Sequence, residues 1–128
     1  PEDKHEAVAI DAFEFLSQAI ATKKTWDLVI CDPPSFAPSE KALEKAKGSY
    51  ENLIALSAQV TKPGGLLAAA SCSSHITENM FLEICENAIS HAHRQATVVA
   101  VLGQPIDHPY PLVCTELRYL KFVLMTVH

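Results

Sequence analysis

Glycine is scarce in this chain of 128 residues: there are four, and no GxGxG-like run occurs anywhere. No apolar stretch approaches the roughly 20 residues that span a bilayer, and no signal peptide is visible. The four cysteines, Cys31, Cys72, Cys85 and Cys114, form no CxxC pair and no framework spacing, so they read as reduced thiols of a cytosolic protein. With two ligands at most in Cys72-x-x-His75, no metal site is expected. Basic residues are outnumbered, and the net charge is −5. That balance argues against broad phosphate binding by this segment, while a local basic patch or a separate binding domain stays open. Repeats, low-complexity tracts and linkers are missing as well.

What is present is a core. Hydrophobic residues make up 48% of the sequence, which indicates one globular domain and too little chain for two. The first residue is Pro and the opening is charged, which reads as a fragment or a cleaved product. Ala7 to Ile10 reads as the end of a strand. Asp11-Ala12-Phe13-Glu14 has the spacing of a capping box and predicts a helix through Phe15, Leu16 and Ile20 that breaks at Thr22 to Thr25. Trp26 to Cys31 is nearly all apolar, as in a strand covered on both faces.

Ser39 is a candidate cap for a long helix carrying Leu43, Ala46, Tyr50, Leu53, Ile54 and Val60 at helical spacing, ended by Lys62-Pro63-Gly64-Gly65. Leu66 to Ala70 follows as a strand. Thr77 caps a helix with the stripe Phe81, Ile84, Cys85, Ala88 and Ile89. Thr97 to Leu102 and Tyr119 to Val127 are strands, joined by a long loop from Gly103 to Leu117. The alternation predicts an α/β fold, a mostly parallel sheet with helices on both faces. The helix-free last connection predicts an antiparallel final strand.

Two strand ends carry the chemistry. Asp32-Pro33-Pro34-Ser35 stands where the run Leu28-Val29-Ile30-Cys31 stops, and Ser71-Cys72-Ser73-Ser74 stands where the next strand stops. In open α/β sheets ligands bind at the carboxyl ends of strands. An acid held by two prolines beside a thiol suggests a reaction site. Taken alone, Cys72 also suits a small residue in a Ser-rich turn, and Asp32 a turn cap.

The ordered set Asp-Pro-Pro-Ser-Phe, Lys-Pro-Gly-Gly, Ser-Cys-Ser-Ser, Asp107-His108-Pro109 and Arg118-Tyr119-Leu120-Lys121 resembles the class I S-adenosylmethionine-dependent methyltransferases. More narrowly, it is similar to the bacterial 5-methylcytosine methyltransferases of large-subunit ribosomal RNA. The resemblance runs from about Ala7 to Val127. It implies a Rossmann-like methyltransferase fold, with residues 1–128 as the C-terminal portion of a catalytic domain whose Gly-rich cofactor loop and first strands lie upstream. The segment alone is then expected to be inactive, and its unpaired sheet edge to favour self-association.

The resemblance also implies roles. S-adenosyl-L-methionine would be held by Asp11, Ala12, Phe13 and Asp32. Asp11 would meet the adenine amino group while also capping its helix. Cys72 would be the nucleophile that attacks cytosine C6, so that C5 can take the methyl group. Asp32 would bind the base, shuttle a proton or hold the cofactor amine. Pro33, Pro34, Ser35, Phe36, Ser71 and Ser73 would shape the substrate pocket. The partner would be RNA, ribosomal RNA above all, in a full-length cytoplasmic protein, with no membrane involved.

Ser35 departs from the dual-cysteine pattern, which places a second Cys after Asp-X-Pro. It also departs from amino- or guanine-directed nucleic-acid methyltransferases, which place an aromatic directly after Asp-Pro-Pro. Those enzymes, or an inactive interaction module, are the alternatives. Cys31, Cys85 and Cys114 read as packing. Lys41, Lys45 and Lys47 could meet phosphates or form a solvated helix face. His91 and His93 read as solvated. Asp107, His108 and Arg118 carry no assigned role.

Overall fold

The computed structural model describes residues 2–107, 109–113 and 119–128, apart from the Glu2 side chain. His108, Cys114 and Arg118 lie outside the described residues. After a single turn of 3-10 helix, Glu2–Lys4, the order is α1 (Ala12–Ala21), β1 (Trp26–Cys31), a 3-10 turn (Glu40–Ala42) running into α2 (Leu43–Gln59), β2 (Thr61–Ser71), α3 (Glu78–His91), β3 (Ala96–Leu102) and β4 (Lys121–Val127). The described strands form one sheet in the order β1-β2-β4-β3. β1 and β2 run parallel, whereas β4 is antiparallel to both β2 and β3. The expected antiparallel last strand is therefore present.

The helices start where side chains satisfy backbone donors that a first turn leaves free. The Asp11 carboxylate accepts from the Glu14 N–H at 3.1 Å, and the Thr77 hydroxyl accepts from the Met80 N–H at 3.2 Å. Ser39 precedes the 3-10 turn but makes no side-chain capping bond. α2 packs on α1, α3, β1 and β2, with Tyr50, Ile54 and Ala58 almost wholly buried. From α3, Phe81, Ile84 and Ala88 complete this core against Leu67, Ala69, Val123 and Met125 of the sheet. Burying each of the larger apolar side chains stabilises the fold by about 1.5–3 kcal/mol.

Three expectations need correcting. Ala7–Ile10 joins no strand ladder and is exposed. A strand requires a partner edge, and a cavity separates Val8 and Ile10 from Leu28 and Ile30 of β1. β2 begins five residues before Leu66, because Thr61 pairs with Trp26 and Leu66 pairs with Leu28. Four residues, Lys62–Gly65, thus bulge opposite the single residue Asp27. The Lys62 ammonium meets both Asp27 carboxylate oxygens at 3.1 Å, and Gly64 supplies the positive φ of 82° that the bulge needs.

The described helices also share one core, on one face of the sheet. Cross-strand rows Leu28–Leu66–Thr126–Thr97 and Ile30–Ala68–Leu124–Ala100 lie on the other face. Among the described residues nothing covers that face at its β1 end, where Leu28 is 51% and Ile30 62% exposed.

Candidate active site

β1 and β2 are parallel neighbours, so their carboxyl ends emerge at the same edge of the sheet. Cys31 pairs with Ala69 on the last rung between them. Beyond this rung β1 gives way to Asp32-Pro33-Pro34, and β2 continues through Ser71 into Cys72. The prolines fix the backbone just after the acid. Asp32 is exposed and Pro33 half-buried.

A cavity of about 760 Å³ runs along the free edge of β1. It brings together Asp11, Ala12 and Phe13 from the start of α1 with Asp32, Pro33, Pro34 and Phe36 from the loop after β1. Its remaining wall is largely apolar, with Trp26, Leu28 and Ile30 among its residues. The first amides of α1 have no acceptor within their own helix, so the cavity offers both N–H donors and the Asp11 carboxylate at one end. A flat ligand with an amino edge and an acceptor edge fits that rim. Ser35 is exposed and does not line the cavity, nor do Ser71, Cys72 and Ser73.

The loop and the thiol turn are nevertheless fastened to each other. Tyr50 stands fully buried between the rings of Phe36 and Phe81, with centroids 4.8 and 6.0 Å away. Its hydroxyl oxygen accepts from the Phe36 N–H at 3.4 Å and from the Ser71 hydroxyl at 3.2 Å. The Ser73 hydroxyl donates to the Ala37 carbonyl at 3.0 Å. Ser71 and Ser73, expected against the substrate, are thus fully buried and use their hydroxyls inside the protein. They hold the two walls together. The sequence marks Tyr50 only as part of an apolar helix stripe; the available signal is its phenol, whose hydroxyl needs a buried partner.

Among the described thiols only Cys72 reaches solvent; Cys31 and Cys85 are buried. Burial raises the Cys31 pKa, a hydrogen bond with Ser57 lowers it, and the Asp32 charge raises it again. Burial, helped by Cys31, pushes the Cys85 thiol up to about 12. Both are protonated packing residues, as expected. A second residue to which the sequence gives no role is Lys121. Its ammonium donates to the carbonyls of Ser73 and Tyr119, the latter at 2.6 Å. Lys47 pairs with Glu44 at 3.5 Å, while Lys41 and Lys45 are exposed. His91 and His93 are exposed at the end of α3. Among the described residues no group of three or more His, Cys, Asp or Glu side chains is placed to hold a metal ion.

No protein-family model matches the chain. Curated relatives do. The chain is 35% identical over 121 residues to a ribosomal RNA large subunit methyltransferase I of Photobacterium profundum, covering 94% of this chain and 30% of the relative. It is 34% identical over 117 residues to the protein of that name in Shewanella amazonensis, covering 91% and 30%. The chain therefore spans about 30% of the length of these relatives. A Streptococcus mutans protein described as a putative SAM-dependent methyltransferase superposes with a TM-score of 0.79 at 23% identity, over 95% of this chain and 31% of that one. A protein described as a putative methyltransferase, solved with SAH, gives 0.76 at 23% identity, over 93% and 30%. Sequence and architecture agree: the chain has the class I S-adenosylmethionine-dependent methyltransferase fold and is homologous, over about 30% of their length, to the ribosomal RNA large subunit methyltransferases.

Proposed function

We propose that this chain carries the target-base side, and part of the cofactor side, of an RNA methyltransferase that acts on cytosine C5 of ribosomal RNA in the cytoplasm. The observation that carries the reading is Cys72: the solvent-reaching thiol among those described, at a strand end next to the one that bears Asp32. The names of the relatives support ribosomal RNA as substrate, and the methyltransferase neighbours support S-adenosylmethionine as cofactor.

The residues present fit that cofactor. Asp11 accepts the Glu14 N–H with one carboxylate oxygen, and the carboxylate suits an adenine amino group. The Ala12 and Phe13 amides at the start of α1 suit the ring acceptors, and the Phe13 side chain gives an apolar wall beside them. S-adenosylmethionine supplies an electrophilic methyl group. The protein's part is to make C5 nucleophilic. The Cys72 sulfur, as thiolate, adds to C6 and pushes electron density to C5. After transfer the C5 proton leaves, the sulfur–C6 bond breaks and the aromatic ring returns. In this reading Asp32 accepts a hydrogen bond or a proton from the base. Pro33, Pro34 and Phe36 shape the pocket from the β1 side, with exposed Ser35 at its margin. Ser71 and Ser73 act from behind by holding the turn.

Amino-directed methylation has less support. The residue after Pro34 is an exposed serine, and the aromatic one place further on is packed on Tyr50. In the full-length protein, Cys72→Ala is expected to abolish both methyl transfer and the covalent adduct with RNA that contains 5-fluorocytosine. Transfer that survives in this variant overturns the nucleophile assignment.

A further inference from the structure

The segment between β3 and β4 opens at the same edge of the sheet as Asp32 and Cys72. β2 and β3 are both antiparallel to β4, so β3 ends at the edge where β2 ends. Leu102, Phe122 and Ala70 stand in one cross-strand row. The segment thus leaves the sheet two strand spacings, roughly 10 Å, from β2, which reaches Cys72 two residues beyond Ala70. Its return is tied to the thiol turn. The Tyr119 N–H donates to the Gln104 side-chain oxygen at 2.9 Å, and the Lys121 ammonium donates to the carbonyls of both Tyr119 and Ser73.

Here the chain holds apolar side chains in water. Ile106 is 100%, Leu112 89% and Val113 96% exposed, and Tyr110 is exposed beside them. Folding of this chain gains nothing from them, whereas covering apolar surface is favourable. Pro105, Pro109 and Pro111 restrict the backbone around them, which lowers the entropy cost of presenting these side chains to a partner. From Gly103 to Val113 there is no Lys or Arg, and Asp107 is acidic. Such a surface repels phosphates and suits the uncharged faces of bases.

We propose that Ile106, Tyr110, Leu112 and Val113 form a contact surface for unstacked RNA bases next to the target nucleotide. The proposal rests on the reading of the chain as part of an RNA methyltransferase, and not on the chemistry at C5. A base that leaves its stack uncovers the faces of its neighbours as well as its own. Apolar and aromatic side chains take up such faces whatever the base. The tie through Tyr119, Lys121 and Ser73 makes this surface continuous with the candidate site, and that continuity selects RNA as the occupant over a second copy of the chain.

The test is binding of a short fluorescein-labelled single strand of RNA with a central cytosine to the full-length protein, read by anisotropy over a range of salt. The triple variant Ile106→Ser, Leu112→Ser, Val113→Ser is expected to bind about tenfold more weakly, with the salt dependence of the wild type, because no phosphate contact is lost. Tyr110→Ala should also weaken binding about tenfold, and Tyr110→Phe should restore it. Abasic residues on both sides of the cytosine should weaken binding to the wild type and have little further effect on the triple variant. Equal affinity of wild type and triple variant overturns the proposal, as does a flatter salt dependence in the variant. A triple variant that is less stable, or that changes its oligomeric state in sedimentation, overturns it in favour of another part of the protein or a second copy. If the wild type binds no single-stranded RNA, the RNA reading itself falls. Methyl transfer by Cys72→Ala would remove the nucleophile assignment and leave this contact standing.

Discussion

Tyr50 is the residue on which the site's geometry depends most. One phenol oxygen takes a backbone donor from the loop after β1 and a hydroxyl donor from the end of β2. Tyr50→Phe keeps both ring contacts and leaves one buried donor, the Ser71 hydroxyl, and one half-buried donor, the Phe36 N–H, without their acceptor. A loss of about 1–3 kcal/mol is expected, read from chemical denaturation; under the proposed function, the full-length protein should also lose a larger proportion of methyl transfer than of cofactor binding. The reason is that the substitution loosens one wall of the site against the other. Unchanged stability would mean that the Ser71 hydroxyl finds another acceptor. The residue scale is also where the sequence is hardest to read. Asp32 and Cys72 are legible because they stand at strand ends next to turn-forming residues. Tyr50 and Lys121 are not, because a phenol on a helix stripe and a lysine at a strand start look like core and surface until the partners of their polar atoms are known.

At the scale of elements, local chemistry makes α1 and α3 readable. Asp11 and Thr77 cap them through bonds that span three residues, so no tertiary knowledge is needed. The start of β2 has no such signal. Lys-Pro-Gly-Gly reads as a turn, and it becomes a bulge within a strand only because Thr61 finds Trp26 across the sheet. Gly65 shows how tight that bulge is. A Cβ there would stand 2.8 Å from the Asp27 carbonyl oxygen and 2.9 Å from that of Lys62. Both obstacles are backbone, so Gly65→Ala is expected to cost about 1–3 kcal/mol, seen as a lowered Tm. A neutral outcome would show that the bulge can open at no cost.

For the whole molecule, the helical layer on one face is half of what the alternating pattern suggests. The pattern establishes that strands and helices alternate. It cannot say on which side each crossover falls, since that depends on strand order, and the order β1-β2-β4-β3 is not sequential. The consequence is an apolar face and a free β1 edge, with Leu28 and Ile30 in the open. This chain on its own is expected to self-associate with rising concentration in sedimentation velocity experiments. Ile30→Lys, on the open face, should shift it towards monomer. A chain that stays monomeric at high concentration would contradict this expectation.

The two hydrogen-bonded ties between the loop after β1 and the turn after β2 bear on substrate choice under the proposed function. Walls that are locked together cannot close around a base that stays in its stack. The nucleotide itself has to do the moving, and leaving the stack costs a few kcal/mol, least for a base that is already unpaired. A rigid pocket would thus select its target by how readily the RNA releases that base, before any atom of the cytosine is read.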